Sequence, residues 1–191
     1  MTNTFWEWLL EKDRSLFELI NTKWTHAILD AIMPWARTSN NWYPFYIVLL
    51  GFLFFKWGKK AWKWVLLVAV NVALTDQISS GIFKPLVHRL RPCADPTMIH
   101  HSKLLLEHCS GGFSFTSSHA ANHFGLAMFV CMTLEPLFKK SRYWFFLWAA
   151  WISYAQVYVG VHYPLDVFCG ALIGCLVGFA MGKVFQKWQI Q

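Results

Sequence analysis

Four apolar runs, at about Trp62–Gly81, His119–Phe138, Tyr143–Val159 and Leu165–Phe185, leave this chain few folds to choose from. Each reaches or approaches the roughly 20 residues an α-helix needs to cross a bilayer. A fifth run, about Asn41–Trp57, is shorter but very apolar. Within lipid, every backbone amide and carbonyl must be satisfied internally, so runs of this length are read as helices. Charged residues make up 14% of the chain, against about a quarter in soluble domains, which removes a water-soluble globule from consideration. The expectation is a single domain over residues 1–191, an all-α, polytopic membrane helical bundle with five spans.

The first 40 residues read differently. In "FWEWLLEKDRSLFELI", Phe5, Leu9, Leu16 and Leu19 alternate with charges, as in an amphipathic helix lying in the membrane interface. No basic segment followed by an apolar core marks a cleavable signal peptide there. Leu16–Trp35 is open to two readings, a sixth span or part of this interfacial segment, because Lys23, His26, Asp30 and Pro34 interrupt it.

The net charge of +7 is unevenly placed. Lys56, Lys59, Lys60 and Lys63 fill one turn, Lys139, Lys140 and Arg142 another, and Lys183 and Lys187 follow the last run. Alternating crossings put all three clusters on one face, which the positive-inside tendency makes cytoplasmic. These charges flank spans and form no soluble basic surface, so nucleic acid is not an expected partner. The same alternation gathers Lys84–Pro92, Thr116–His123 and Gly160–Asp166 on the opposite, extracytoplasmic face, with a loop over residues 84–118 between the first two.

Those three segments hold the chain's unusual polar residues. Lys84, Arg89 and Arg91 place dense positive charge just past a span, as snorkelling anchors or as an anion clamp. Ser117 or Ser118 can cap the following helix, whose free amides and dipole favour an anion. His119 then lies beside that anion. His119 and His123 share a helical face at a spacing a metal can use, but the glutamate of H-E-x-x-H is missing; no metal is expected, and His123 reads as a packing residue. Pro164 suits the first position of a helix, which leaves His162 just outside it and Asp166 in its first turn. A carboxylate there can fix the imidazole tautomer and leave one nitrogen with a free lone pair.

In order and spacing, Lys84 with Arg91-Pro92, Ser117-Ser118-His119 and His162 with Asp166 resemble the three signature motifs of the type-2 phosphatidic acid phosphatase superfamily. The resemblance implies a membrane lipid phosphatase without metal or other cofactor. It implies that His162 attacks phosphorus to form a phosphohistidine, held by Asp166, while His119 protonates the leaving oxygen. Lys84, Arg91, Ser117 and the region of Ser118 would bind the phosphate. Two positions depart from the pattern: Ser118 stands where glycine is usual, and Ala155-Gln156 where the third motif usually reads Ser-Arg. Arg89 is the expected substitute for that missing arginine, lower turnover the other outcome.

The expected substrate is a lipid phosphate within the bilayer, undecaprenyl diphosphate first because short loops leave little but a phosphate and a tail to recognise, and lipid A second. Lys103 and the loop histidines would hold the sugar of the latter. The expected place is the bacterial cytoplasmic membrane with the site facing outward. The rivals are an intramembrane metalloenzyme using His119, His123, His162 and Asp166, and a non-enzymatic anion transporter. Cys93 and Cys109, on the oxidising face, are expected to pair, whereas Cys131, Cys169 and Cys175 read as packing residues. Asp76, within a span, is expected to meet a cation or to make a polar contact between helices.

Overall fold

The protein, seen in a computed structural model that describes residues 4–190, is helical throughout with no strand among the described residues. Two short helices, α5 (Lys84–Val87) and α7 (Glu135–Phe138), sit at opposite ends of a bundle of longer ones. The bundle is built from α2 (Ala27–Arg37), α3 (Tyr43–Trp57), α4 (Ala61–Asp76), α6 (Ser118–Thr133), α8 (Trp144–Tyr158) and α9 (Pro164–Ile190). Proline begins α9, as its fixed φ favours. Gly58, with φ of +55°, lets the chain reverse between α3 and α4.

Contacts along the helices fix their directions. Thr133 at the end of α6 accepts a 2.9 Å bond from Trp64 Nε1 near the start of α4. Lys63 Nζ reaches the Trp188 carbonyl at 3.4 Å, and Trp57 stacks on Phe185. The Lys56–Lys63 turn and the end of α9 therefore share one end of the bundle. At the other end, Ser79 and Ser80 meet Ser118 at the start of α6. The bundle's length is spanned by α9, whose 27 residues measure about 40 Å.

Helices α6 and α9 form the tightest pair, and the reason is spacing. Gly170, Gly174, Gly178 and Gly182 recur every fourth residue, so they share one face of α9. A Cβ on Gly174 would lie 2.2 Å from the Ala121 carbonyl oxygen, and one on Gly178 2.3 Å from that of Gly125. The two backbones touch because no side chain stands between them, as in small-residue packing within membranes. Around the outside, large apolar side chains face outward, among them Phe55 at 83% exposure and Leu176 at 72%. Such a girdle has no reason to exist in water.

The amino-terminal third corrects the sequence reading. No single helix runs through Leu16–Trp35: α1 (Thr4–Glu18) ends in a π-turn at Leu19–Lys23, and α2 starts afresh at Ala27. Helix α2 then descends beside α8 in the same direction as α3. Its start meets Tyr158, Arg37 meets Gln156, Trp42 meets Trp148 and Phe45 meets Phe145. Helices α2 and α3 thus form one broken rod, interrupted by a 3₁₀ turn at Ser39–Trp42. The exposed Phe5, Trp6 and Trp8 of α1 suit an interfacial helix, yet α1 also buries Asp13 and Phe17 against the polar end of the bundle.

The loop after α5 is tied down. Cys93 and Cys109 form a disulfide. Asn21 clasps the same loop, accepting from the Lys103 amide at 2.7 Å and donating to the Lys103 and Tyr158 carbonyls. Lys103 pairs with Asp30 at 2.6 Å, which ties the loop to α2; His100, His101 and His108 are exposed.

Candidate active site

Residues from all three polar segments converge at the loop end of the bundle. Ser117 caps α6, accepting from the Ala120 amide at 3.5 Å, and its own amide donates to the Asp166 carbonyl at 3.0 Å. That bond ties the start of α6 to the first turn of α9. The Ser118 hydroxyl turns away into a cluster with Ser79 and Ser80, at 3.0 and 2.8 Å. At this position a side chain is therefore accommodated against the π-turn at Gln77–Phe83 that follows α4.

His162 is 2% exposed. Its Nε2 lies 3.1 Å from Arg91 Nη1. A guanidinium only donates, so Nε2 must be the acceptor and the ring proton sits on Nδ1. That nitrogen faces Asp166 Oδ2 at 3.5 Å, about 0.5 Å beyond a good hydrogen bond. The expected His162–Asp166 pair is thus present with the expected tautomer, but its bond is not closed. Asp166 is occupied elsewhere: it accepts from Arg89 Nη1 at 2.7 Å, from the Tyr163 amide at 2.9 Å and from the Ser114 hydroxyl. Burial pushes the His162 pKa down to about 4, with the Asp166 carboxylate opposing and Arg91 and Lys84 adding to the fall. The ring is neutral at neutral pH, with its lone pair toward the cations.

Arg91, 6% exposed, spends its other bonds on the Gly112 and Val161 carbonyls. Among the described residues no carboxylate lies within salt-bridging distance of Arg91, Lys84 or Arg37. Asp76 acts on Lys84 only at longer range, and accepts from Ser80 at 3.5 Å. His119 lies within electrostatic reach of Arg37, His162 and Lys84. Three cations without a salt-bridged carboxylate, near two histidines, make a positive cluster that an anion would neutralise. His123 packs: Nδ1 meets the His119 carbonyl at 2.7 Å and the ring edges onto Trp148.

Arg89 does not stand in for the arginine missing at position 156. It bridges Asp13 at 2.5 Å and Asp166 at 2.7 Å, and its guanidinium lies 3.9 Å from the centroid of Tyr163. The residue that meets Gln156 is Arg37, whose Nε donates to Gln156 Oε1 at 3.2 Å. Sequence reasoning missed Arg37, Asp13 and Ser114. Asp13 accepts from the Leu165 amide at 2.8 Å as well as from Arg89, capping α9 from the far end of the chain. No local motif marks any of the three; a basic residue near the end of an apolar helical stretch was the one available signal, for Arg37.

Comparison with known proteins gives the family. The family model of the PAP2 superfamily matches residues 61–190. The chain is 31% identical over 182 residues to a lipid A 4'-phosphatase of Porphyromonas gingivalis, covering 94% of this chain and 75% of that protein. It is 38% identical over 151 residues to a lipid A 4'-phosphatase of Bacteroides thetaiotaomicron, covering 76% of this chain and 65% of that protein. Among solved structures, Aquifex aeolicus LpxE is 30% identical with a TM-score of 0.64, over 88% of this chain and 93% of that one. The transmembrane PAP2-type phosphatidylglycerolphosphate phosphatase of Bacillus subtilis shares the fold, with 21% identity and a TM-score of 0.70 over 94% and 86%. A helical membrane bundle with this likeness is a lipid phosphatase, a hydrolase of phosphate esters. The chain belongs to the PAP2 superfamily.

Proposed function

We propose that the protein removes a phosphate monoester from lipid A, using His162 as nucleophile. The observation that carries the chemistry is the contact of His162 Nε2 with Arg91, beside Lys84 and His119 and without a carboxylate to neutralise the cations. The likeness to two lipid A 4'-phosphatases supports this substrate over undecaprenyl diphosphate, which the short loops alone had favoured.

In this reading an arriving phosphate draws Arg91 onto its oxygens and frees Nε2. The lone pair attacks phosphorus while the bond to the sugar oxygen breaks. His119, which takes up a proton as the phosphate dianion seats beside it, gives that proton to the sugar oxygen. The Nδ1–H of His162 closes on Asp166 as positive charge develops on the ring. Lys84, Arg91, Ser117 and the amides of Ser118 and His119 hold the other oxygens. Water, deprotonated by His119, then attacks the phosphohistidine, and inorganic phosphate leaves as His162 recovers its lone pair. In this reading the basic end of the bundle faces the cytoplasm, as the positive-inside tendency favours, the broken α2–α3 rod counts as one of five crossings, and the site opens on the outer face of the bacterial inner membrane.

The test is phosphate release by purified protein in detergent with excess chelator, comparing lipid A with undecaprenyl diphosphate. Faster turnover of lipid A, abolished by His162→Ala, is the expected result. His119→Ala should harm the monoester more than the anhydride, because a sugar alkoxide needs a proton and a phosphate leaving group does not. Release that survives His162→Ala, or that chelator abolishes, overturns the mechanism; preference for undecaprenyl diphosphate overturns the substrate.

A further inference from the structure

Arg37 is the last residue of α2, at the break in the α2–α3 rod. An arginine there has an ordinary use, to satisfy the carbonyls that end a helix. Those carbonyls already have partners. Thr38 Oγ1 donates to Pro34, Asn41 Nδ2 to Trp35 and Trp42 Nε1 to Ala36, at 2.8–2.9 Å. The guanidinium instead turns inward. Its Nε donates to Gln156 Oε1 at 3.2 Å, which leaves the two terminal nitrogens for something else. Among the described residues no carboxylate pairs with it.

Its neighbours are the site. The Gln156 carbonyl accepts from the His162 amide at 3.3 Å, so Gln156 carries Arg37 to the backbone of the nucleophile. Arg37 is also within electrostatic reach of Arg91 and of His119. Gln156 is 0% exposed, and because its oxygen faces a donor, its amide nitrogen is fixed as the other atom; that nitrogen has no partner. A half-buried guanidinium with a free fork, beside a second uncountered guanidinium and an unpartnered buried N–H₂, matches the oxygens of a phosphate group.

We propose that Arg37 binds the phosphate of the substrate, with Gln156 setting its orientation, so that a cation delivered by α2 does the work of an arginine at position 156. The inference rests on the reading of this pocket as the phosphate site. It makes the amino-terminal segment, which lies outside the residues matched by the family model, part of the binding machinery.

Binding of inorganic phosphate to the full chain in detergent, read by calorimetry, tests it without turnover. Arg37→Gln should weaken phosphate about 10- to 100-fold, the range for losing a charge-assisted hydrogen bond. The double variant Arg37→Gln/Gln156→Arg, with the guanidinium returned from α8, should recover affinity to within a few-fold. Unchanged affinity in folded Arg37→Gln overturns the proposal, as does a folded double variant that stays weak. Should Arg37→Gln not fold, the double variant decides alone by the same criterion. The two readings separate cleanly. Lost phosphate affinity in Arg37→Gln, with no lipid hydrolysed by the wild type, leaves this inference standing and removes the catalytic one. Hydrolysis that His162→Ala abolishes, with full phosphate affinity in Arg37→Gln, does the reverse.

Discussion

Replacing Gly174 by alanine adds a single methyl group where two helix backbones touch. The new Cβ would lie 2.2 Å from the Ala121 carbonyl oxygen and 2.7 Å from the Gly125 nitrogen. Ordinary contact begins near 3.4 Å, so the gap to open is 3.4 − 2.2, about 1.2 Å, and neither obstacle is a flexible side chain. Helix α6 must therefore move from α9. It carries Ser117 and His119 one turn away, while Asp166 rides on α9. Overpacking of this kind costs about 1–3 kcal/mol of stability. A misplacement of about 1 Å between reacting groups costs on the order of 100-fold in rate. The assay is kcat for phosphate release beside Tm in the same detergent, with Gly51→Ala as control. A Cβ at Gly51, in α3, meets nothing within 4 Å, and alanine there should leave activity unchanged with stability equal or slightly higher. Gly174→Ala should lower both kcat and Tm. Wild-type values for both would refute the claim that this glycine face sets the distance between the two halves of the site.

Three further outcomes follow from the geometry. Histidine ¹⁵N NMR should show His162 titrating near 4, so the ring keeps its lone pair above that pH and loses it only as pH falls through it; a midpoint above 6 would contradict its burial. Alkylation of denatured, unreduced protein should label three of the five cysteines, Cys131, Cys169 and Cys175, and reduction should lower Tm; the loop of about fifteen residues corresponds to roughly 3 kcal/mol in the chain-entropy model, and labelling of all five would remove the bridge. Asp13→Asn should destabilise by about 2 kcal/mol and lower kcat, because Arg89 and the α9 amide lose a shared anchor; unchanged Tm and activity would show that α1 is dispensable.

How much of this was legible beforehand depends on whether the cause is local. Pro164 before Leu165 announces the start of α9, and Ser117 ahead of an apolar run announces α6, because both act within one helical turn. The pairing of His162 with Asp166 follows from four residues of sequence. Asp13 was illegible for the opposite reason. It looks like the solvated face of an amphipathic helix, and only tertiary placement buries it beside Arg89 and Leu165. Likewise Lys103 read as a free loop cation until Asp30 met it. The gap left by Gln156 was visible in the chain, but what fills it depends on where the α2–α3 rod breaks, and no residue near position 156 encodes that.

The anchor between Asp13 and Leu165 has a consequence for how the protein is made. The two residues are 152 positions apart, and Arg37 and Gln156 are 119 apart. On the ribosome, α1 and α2 emerge before α8 and α9 and wait through the synthesis of the helices between before those partners exist. A truncated or stalled chain lacking α9 has neither Asp166 beside His162 nor the Leu165 amide that Asp13 accepts, whatever else has inserted. If hydrolysis runs through His162, its onset reports that α9 has docked against α1 and α6, without any added tag.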